Sequence, residues 1–290
     1  MLPVLFDFKF IKIYTFGVFL VLAFFWSLFL FWKTVKLTSH KEEEMFDSVF
    51  ISLILAIFFS RFFFVIINFR NFGFSLLKFI LINGFPGMSI YGLIFGGLLG
   101  LSIYHGIKKN NIIKLLDYYV ASILLASAII KIGSFFGGID VGTETKFLLA
   151  VRYSGYAGSR HLTPIYESIL LFLGTYFTHR ILLAVRRTVL PSGFAFYFAF
   201  FWFGLVNLLL DNIKQNHLYL GSINFNLIIS GAIVLTLGGY FLYFFRHEIF
   251  IQVKQSLEKT FKYGKINVQR ASGFIKEKVI RRRKESQKKD

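Results

Sequence analysis

Seven long apolar runs separated by short polar connections constrain this chain more than any other feature. A run of roughly 20 mostly apolar residues is long enough to cross the hydrocarbon of a bilayer. Such runs occupy residues 14–32, 49–67, 88–104, 115–136, 164–184, 193–210 and 223–245. Backbone polar groups inside lipid must be satisfied within their own segment, so each run reads as a helix. The predicted fold is an all-α integral membrane protein with seven transmembrane helices. A seven-span membrane domain covers 1–246 and a basic tail covers 247–290. The first run reaches Trp32 without the small-residue exit of a cleavable signal, so it is expected to stay as a span.

Lysines and arginines in the short connections set the direction of crossing. The first and third connections carry three each, Lys33, Lys36 and Lys41, then Lys108, Lys109 and Lys114; after the fifth run come Arg186 and Arg187, with Arg180 in its last turns. The second carries Arg70 and Lys78, and the sixth only Lys214. This places the N-terminus outside and the C-terminus in the cytoplasm. About half of the net charge of +18 sits after residue 245, where 14 Lys and Arg face 5 Asp and Glu. A basic tail beside the last span suits anionic inner-leaflet lipids, and no nucleic-acid partner is expected. The chain has no cysteine, which excludes disulfides, thiolate catalysis and thiolate-held metals; no metal or cofactor is expected.

Two connections stand apart. The outer loop, residues 137–163, is long and polar, with Asp140, Glu144, Arg152, Arg160 and His161. The second connection, 68–87, holds an apolar piece at 74–82 that is too short to span and reads as an interfacial or re-entrant helix.

Ionisable groups inside spans are costly and so mark function by default. Arg61 interrupts FFSRFFFVI near mid-bilayer, and Lys131 lies in AIIKIGSFFGG. Asn207, Asp211 and Lys214 are spaced to share one helical face. RHLTPIYE brings Arg160, His161, Tyr166 and Glu167 to the start of the fifth span, with Thr163 as N-cap and Pro164 as first helical position. Structural readings stand beside each: snorkelling for Lys131, an ion pair for Asp211 and Lys214, a packing role for Arg61 and an interfacial belt position for Tyr91. Tyr91, Lys131, His161, Glu167 and Asp211 all fall toward the outer half. Tyr91 opens GMSIYGLIFGGLLG, whose Gly92, Gly96 and Gly100 form a small-residue face for close helix packing.

In chain order these segments resemble the prolipoprotein diacylglyceryl transferase family. GMSIYGLIFGG is similar to its GMSFHGGLIG signature, and KIGSFFGG to GRxGNFxNGE. RHLTPIYE resembles RHPSQLYE, NLLLDNIK keeps the spacing of RxxxExxR, and HLYLGSI resembles the MGQ segment. The resemblance implies a bacterial multi-pass protein of the cytoplasmic membrane. It would move a diacylglyceryl group from phosphatidylglycerol to the lipobox cysteine of a prolipoprotein signal peptide. It assigns Tyr91, Lys131 and His161 to catalysis, and Arg61, Ser134, Arg160, Tyr166, Glu167, Asn207, Asp211 and Tyr14 to substrate binding. This chain departs from the family at several points, among them Ser134 for an Asn, and Asn207, Asp211 and Lys214 for the Arg, Glu and Arg of RxxxExxR. Tyr91 stands for its His, Lys131 for its Arg, and Ile139, with Asp140 beside it, for a Glu. A non-catalytic lipid- or partner-binding relative is the alternative those departures motivate. A small-solute transporter is the other, and it would need a polar path through cytoplasmic halves that look almost free of polar residues.

Overall fold

The apolar runs fold as expected from their length. The structure, a computed structural model, describes residues 3–8, 12–81, 84–153, 155–215, 219–220 and 223–247. A short hairpin, β1 (Val4–Asp7) with β2 (Lys12–Tyr14), leads into α1 (Thr15–Val35). Next come α2 (Glu42–Ile67), two short helices α3 (Phe69–Phe72) and α4 (Leu76–Ile80), then α5 (Ile90–Ile107) and α6 (Ile112–Gly137). After the outer loop come α7 (Thr163–Arg186) and α8 (Phe194–Leu210), which tightens to a 3-10 turn over Asp211–Ile213. A two-residue ladder, β3 (Tyr219–Leu220) with β4 (Ile223–Asn224), precedes α9 (Phe225–Phe244). Seven of these helices are long and apolar enough to cross a membrane. The basic tail read from the sequence lies, from residue 248, outside the described residues.

The chain divides into two units, 1–234 and 235–290. Within the first, α1 packs on α6, α2 on α5, and α7 on both α6 and α8. The small-residue face brings α5 onto α2. A Cβ at Gly92 would strike the carbonyl of Phe59, one at Gly96 the carbonyl of Leu55, and one at Gly100 the Cα of Ser52 at 2.6 Å. Backbone-to-backbone contact of this kind is how helices associate in lipid, where side-chain burial gives little drive.

Several boundaries and roles differ from expectation. Helix α2 begins at Glu42 because its three leading glutamates suit a helix N-terminus, although they belong to no apolar run. Arg61 lies six residues from the end of α2, as it does from the end of the apolar run. Helix α7 starts one residue early: Leu162 is its N-cap and Thr163 its first residue. The apolar piece of the second connection forms only α4, one turn and a little more. The ends of the spans remote from Lys131 also hold buried polar groups. His105 Nε2 lies 2.8 Å from the Tyr119 hydroxyl, which lies 2.7 Å from Ser48 Oγ. Asp117, fully buried on α6, accepts the backbone N–H groups of Gly193 (2.6 Å) and Phe196 (2.8 Å). It thus caps α8 from another helix, satisfying donors that lipid would leave bare.

Candidate functional site

The outer loop turns back because Gly138, at φ 66°, ends α6 in the left-handed region open to glycine. It then pairs with the segment after α8: Thr143 N–H donates to the Ile213 carbonyl (2.9 Å) and Gln215 N–H to that of Val141 (3.1 Å). Ser168 on α7 donates to the Ala128 carbonyl on α6 at 2.9 Å, fixing the register of the two helices. Those two constraints deliver three segments to one place.

Glu167 is the centre of what they form. It is 2% exposed and contacts two ammonium groups, Lys131 at 2.7 Å and Lys214. Lys131 also donates to Asp140 at 2.9 Å, and Lys214 to Asn207 Oδ1 at 3.1 Å. Ser134 stands near the Asp140 carboxylate. Burial works against that carboxylate, but the Lys131 ammonium, its hydrogen bond and the more distant Lys214 outweigh it and hold the carboxyl below its usual range. A buried carboxylate between two cations is held by them in place and in charge state. The network counts two ammoniums against two carboxylates.

A second arm runs through the start of α9. The Tyr91 hydroxyl donates to Asn226 Oδ1 at 2.5 Å, and its ring meets Phe225 edge-on at 5.2 Å. Two residues earlier, Asn224 donates to the buried Asp211 at 2.5 Å. One stretch of chain thereby holds Tyr91 of α5 and the end of α8 together.

The remaining expected residues are placed differently. Arg61 does not join the network. Its Nε, Nη1 and Nη2 donate to the carbonyls of Phe79 (2.9 Å), Gly87 (2.8 Å) and Lys78 (2.7 Å), and its guanidinium lies over Phe72. It clamps the second connection onto α2. Arg160 braces the outer loop, donating to the carbonyls of Gly142 and Ala157, to Gln215 Oε1 at 2.8 Å and to Glu144. The His161 ring lies 6.2 Å from that of Phe147 and 6.4 Å from that of Tyr166. Tyr14 is exposed at the end of β2. Lys214, where the backbone beyond the 3-10 turn is extended, pairs with Glu167 and Asn207.

Asp140, and not Ile139 before it, contacts Lys131; Ile139 is 48% exposed. Asn224 and Asn226 were not singled out in the sequence. Their only signal there is two amides at alternate positions opening an apolar run. Tyr153 was missed likewise, being one aromatic among many.

Comparison with known sequences adds a separate line. The sequence model of the prolipoprotein diacylglyceryl transferases matches residues 3–244. A phosphatidylglycerol–prolipoprotein diacylglyceryl transferase of Clostridium tetani is 32% identical over 203 residues, covering 68% of this chain and 78% of the relative. One from Finegoldia magna is 27% identical over 206 residues, covering 70% and 79%. One from Clostridium novyi is 25% identical over 243 residues, covering 80% and 92%.

Proposed function

The chain belongs to the prolipoprotein diacylglyceryl transferase family, and we propose on that premise that it transfers a diacylglyceryl group from phosphatidylglycerol to the lipobox cysteine of a prolipoprotein. The observation that carries this reading is the bracketing of Glu167 by Lys131 and Lys214. Three segments matching three family motifs meet there. In the reaction the cysteine sulfur attacks the glyceryl carbon that bears the phosphate ester. The C–S bond forms, the C–O bond breaks, and phosphoglycerol leaves with the electron pair. Charge grows on the leaving phosphate, and Lys131 and Lys214 stabilise it where it develops. With its own proton directed at Asn226, the Tyr91 oxygen keeps its lone pairs for a donor, which suits holding the thiol S–H. The resemblance offers His161, beside Tyr166, as the group to take the proton.

The protein is a multi-pass membrane protein. We place it in a bacterial cytoplasmic membrane with the N-terminus outside, the site in the outer half and the basic tail on anionic inner-leaflet lipids. The distribution of Lys and Arg among the connections supports this.

The test is a mass shift. Purified protein in phosphatidylglycerol vesicles should add a diacylglyceryl group to a lipobox peptide. An intact fold that binds the lipid but transfers nothing overturns the reading. In an enzyme adapted to its own residues, Tyr91→His and Lys131→Arg each lower the rate. A gain of activity in either variant would instead mark the parent as a non-catalytic relative.

A further inference from the structure

Around the ionic network stand hydroxyl groups that no described residue pairs. Tyr153 is 3% exposed and Thr163 is 1% exposed. The buried oxygens of both, and of the Tyr166 hydroxyl, have no hydrogen-bond partner among the described residues. Buried polar atoms without a partner are rare and call for an explanation. Here they are grouped. Thr163 lies one helical turn before Glu167, and Tyr166 immediately precedes it. The Tyr153 ring meets Phe135, four residues after Lys131, edge-on at 6.4 Å. Its hydroxyl is close enough to Asp140 and Tyr166 to feel both electrostatically.

The charges narrow what such a group can receive. Lys131 and Lys214 are engaged by Asp140 and Glu167 and, in the reaction, by the phosphate, so the hydroxyls beside them are left for a neutral group. The network offers carboxylate oxygens as acceptors and phenol hydroxyls as donors. Burial, with smaller contributions from Asp140 and Tyr166, pushes the Tyr153 hydroxyl up to about 12, so at neutral pH it keeps its proton and donates. A neutral vicinal diol matches this set. Each of its hydroxyls can donate to a carboxylate and accept from a phenol.

We propose that Tyr153, together with Tyr166, binds the terminal diol of the lipid headgroup, making it a specificity residue for the donor lipid. This inference rests on the transfer reading above. Lys131 and Lys214 serve the phosphate as charge develops, while Tyr153 reads the glycerol beyond it. Binding a diol at the buried hydroxyls positions the ester; it takes no part in bond breaking.

Two donor lipids of equal chain length test this: phosphatidylglycerol, and phosphatidylpropanol, which lacks the diol. The full-length protein in vesicles should prefer phosphatidylglycerol. Tyr153→Phe keeps the ring and should lower kcat/KM for phosphatidylglycerol about 5- to 10-fold, chiefly through KM, as loss of one hydrogen bond predicts. Its rate with phosphatidylpropanol should stay within about 2-fold of wild type by the same reasoning. Equal losses on both lipids would show a purely structural role and overturn the proposal, as would no loss on either. If Tyr153→Phe melts early, Tyr166→Phe carries the same comparison. If the wild type transfers from neither lipid, the transfer reading fails by itself. The diol inference is then judged by binding of short-chain forms of the two lipids, where a loss confined to phosphatidylglycerol supports it and an equal loss sinks it.

Discussion

Replacing Gly96 and Gly97 by alanine, one at a time, should change stability in opposite directions. A Cβ at Gly96 would strike the Leu55 carbonyl oxygen and come within 2.8 Å of the Leu55 carbonyl carbon and of Phe59 Cβ. Two of those atoms are backbone and cannot swing aside, so α5 and α2 must part locally. Overpacking of this kind costs about 1–3 kcal/mol, and the better helix propensity of alanine returns about 0.8–1 kcal/mol. The net loss at Gly96 is about 0–2 kcal/mol on those figures. At Gly97 the nearest atom is Ala56 Cβ at 3.8 Å, an ordinary contact. There only the propensity gain remains, up to about 1 kcal/mol. Reversible unfolding in mixed micelles titrated with a denaturing detergent measures both. Gly96→Ala should also slow transfer, since α5 carries Tyr91, whereas Gly97→Ala should not. Equal shifts for the two variants would refute direct backbone contact between α5 and α2.

Glu167→Gln leaves two ammoniums on a neutral amide and should cost about 3–5 kcal/mol, as breaking a buried pair does. Asp140→Asn, at a more exposed carboxylate, should cost under about 1 kcal/mol; the reverse order in detergent unfolding would refute the central place of Glu167. The Asp140 carboxyl is held low in the fold, so its contribution is present above its unfolded value of about 3.9 and is lost as pH falls through the lower folded value. Unfolding midpoints from pH 6 to pH 3 should therefore fall less in Asp140→Asn than in wild type. Arg61→Lys replaces a three-pronged donor with a single ammonium and should loosen the second connection by about 3 kcal/mol, the worth of two lost charged hydrogen bonds. Faster amide exchange in residues 68–87 would show it, and unchanged exchange would refute the clamp.

The spans were legible because length and apolarity alone decide membrane crossing. The glycine face was legible because its spacing is a helical period. Glu167 and Lys131 were visible as costly groups in apolar surroundings. Their pairing was not, because it depends on where the outer loop returns. Arg61 shows the limit most clearly. A buried cation announces that it has partners, but backbone carbonyls leave no mark in a sequence. Asn226 was hidden for the related reason that its meaning comes from Tyr91, 135 residues away.

Asp117 bears on the order of assembly. Helix α8 reaches the bilayer with an N-terminus whose N–H groups have no acceptor of their own, and the acceptor that satisfies two of them belongs to α6. Helix α8 can settle only once α6 is in place, and α6 carries a buried carboxylate until α8 arrives. Each is incomplete alone, and docking of α8 on α6 completes both. The cluster that holds Lys131 and Lys214, one from each partner, then closes at the opposite end of the same joint.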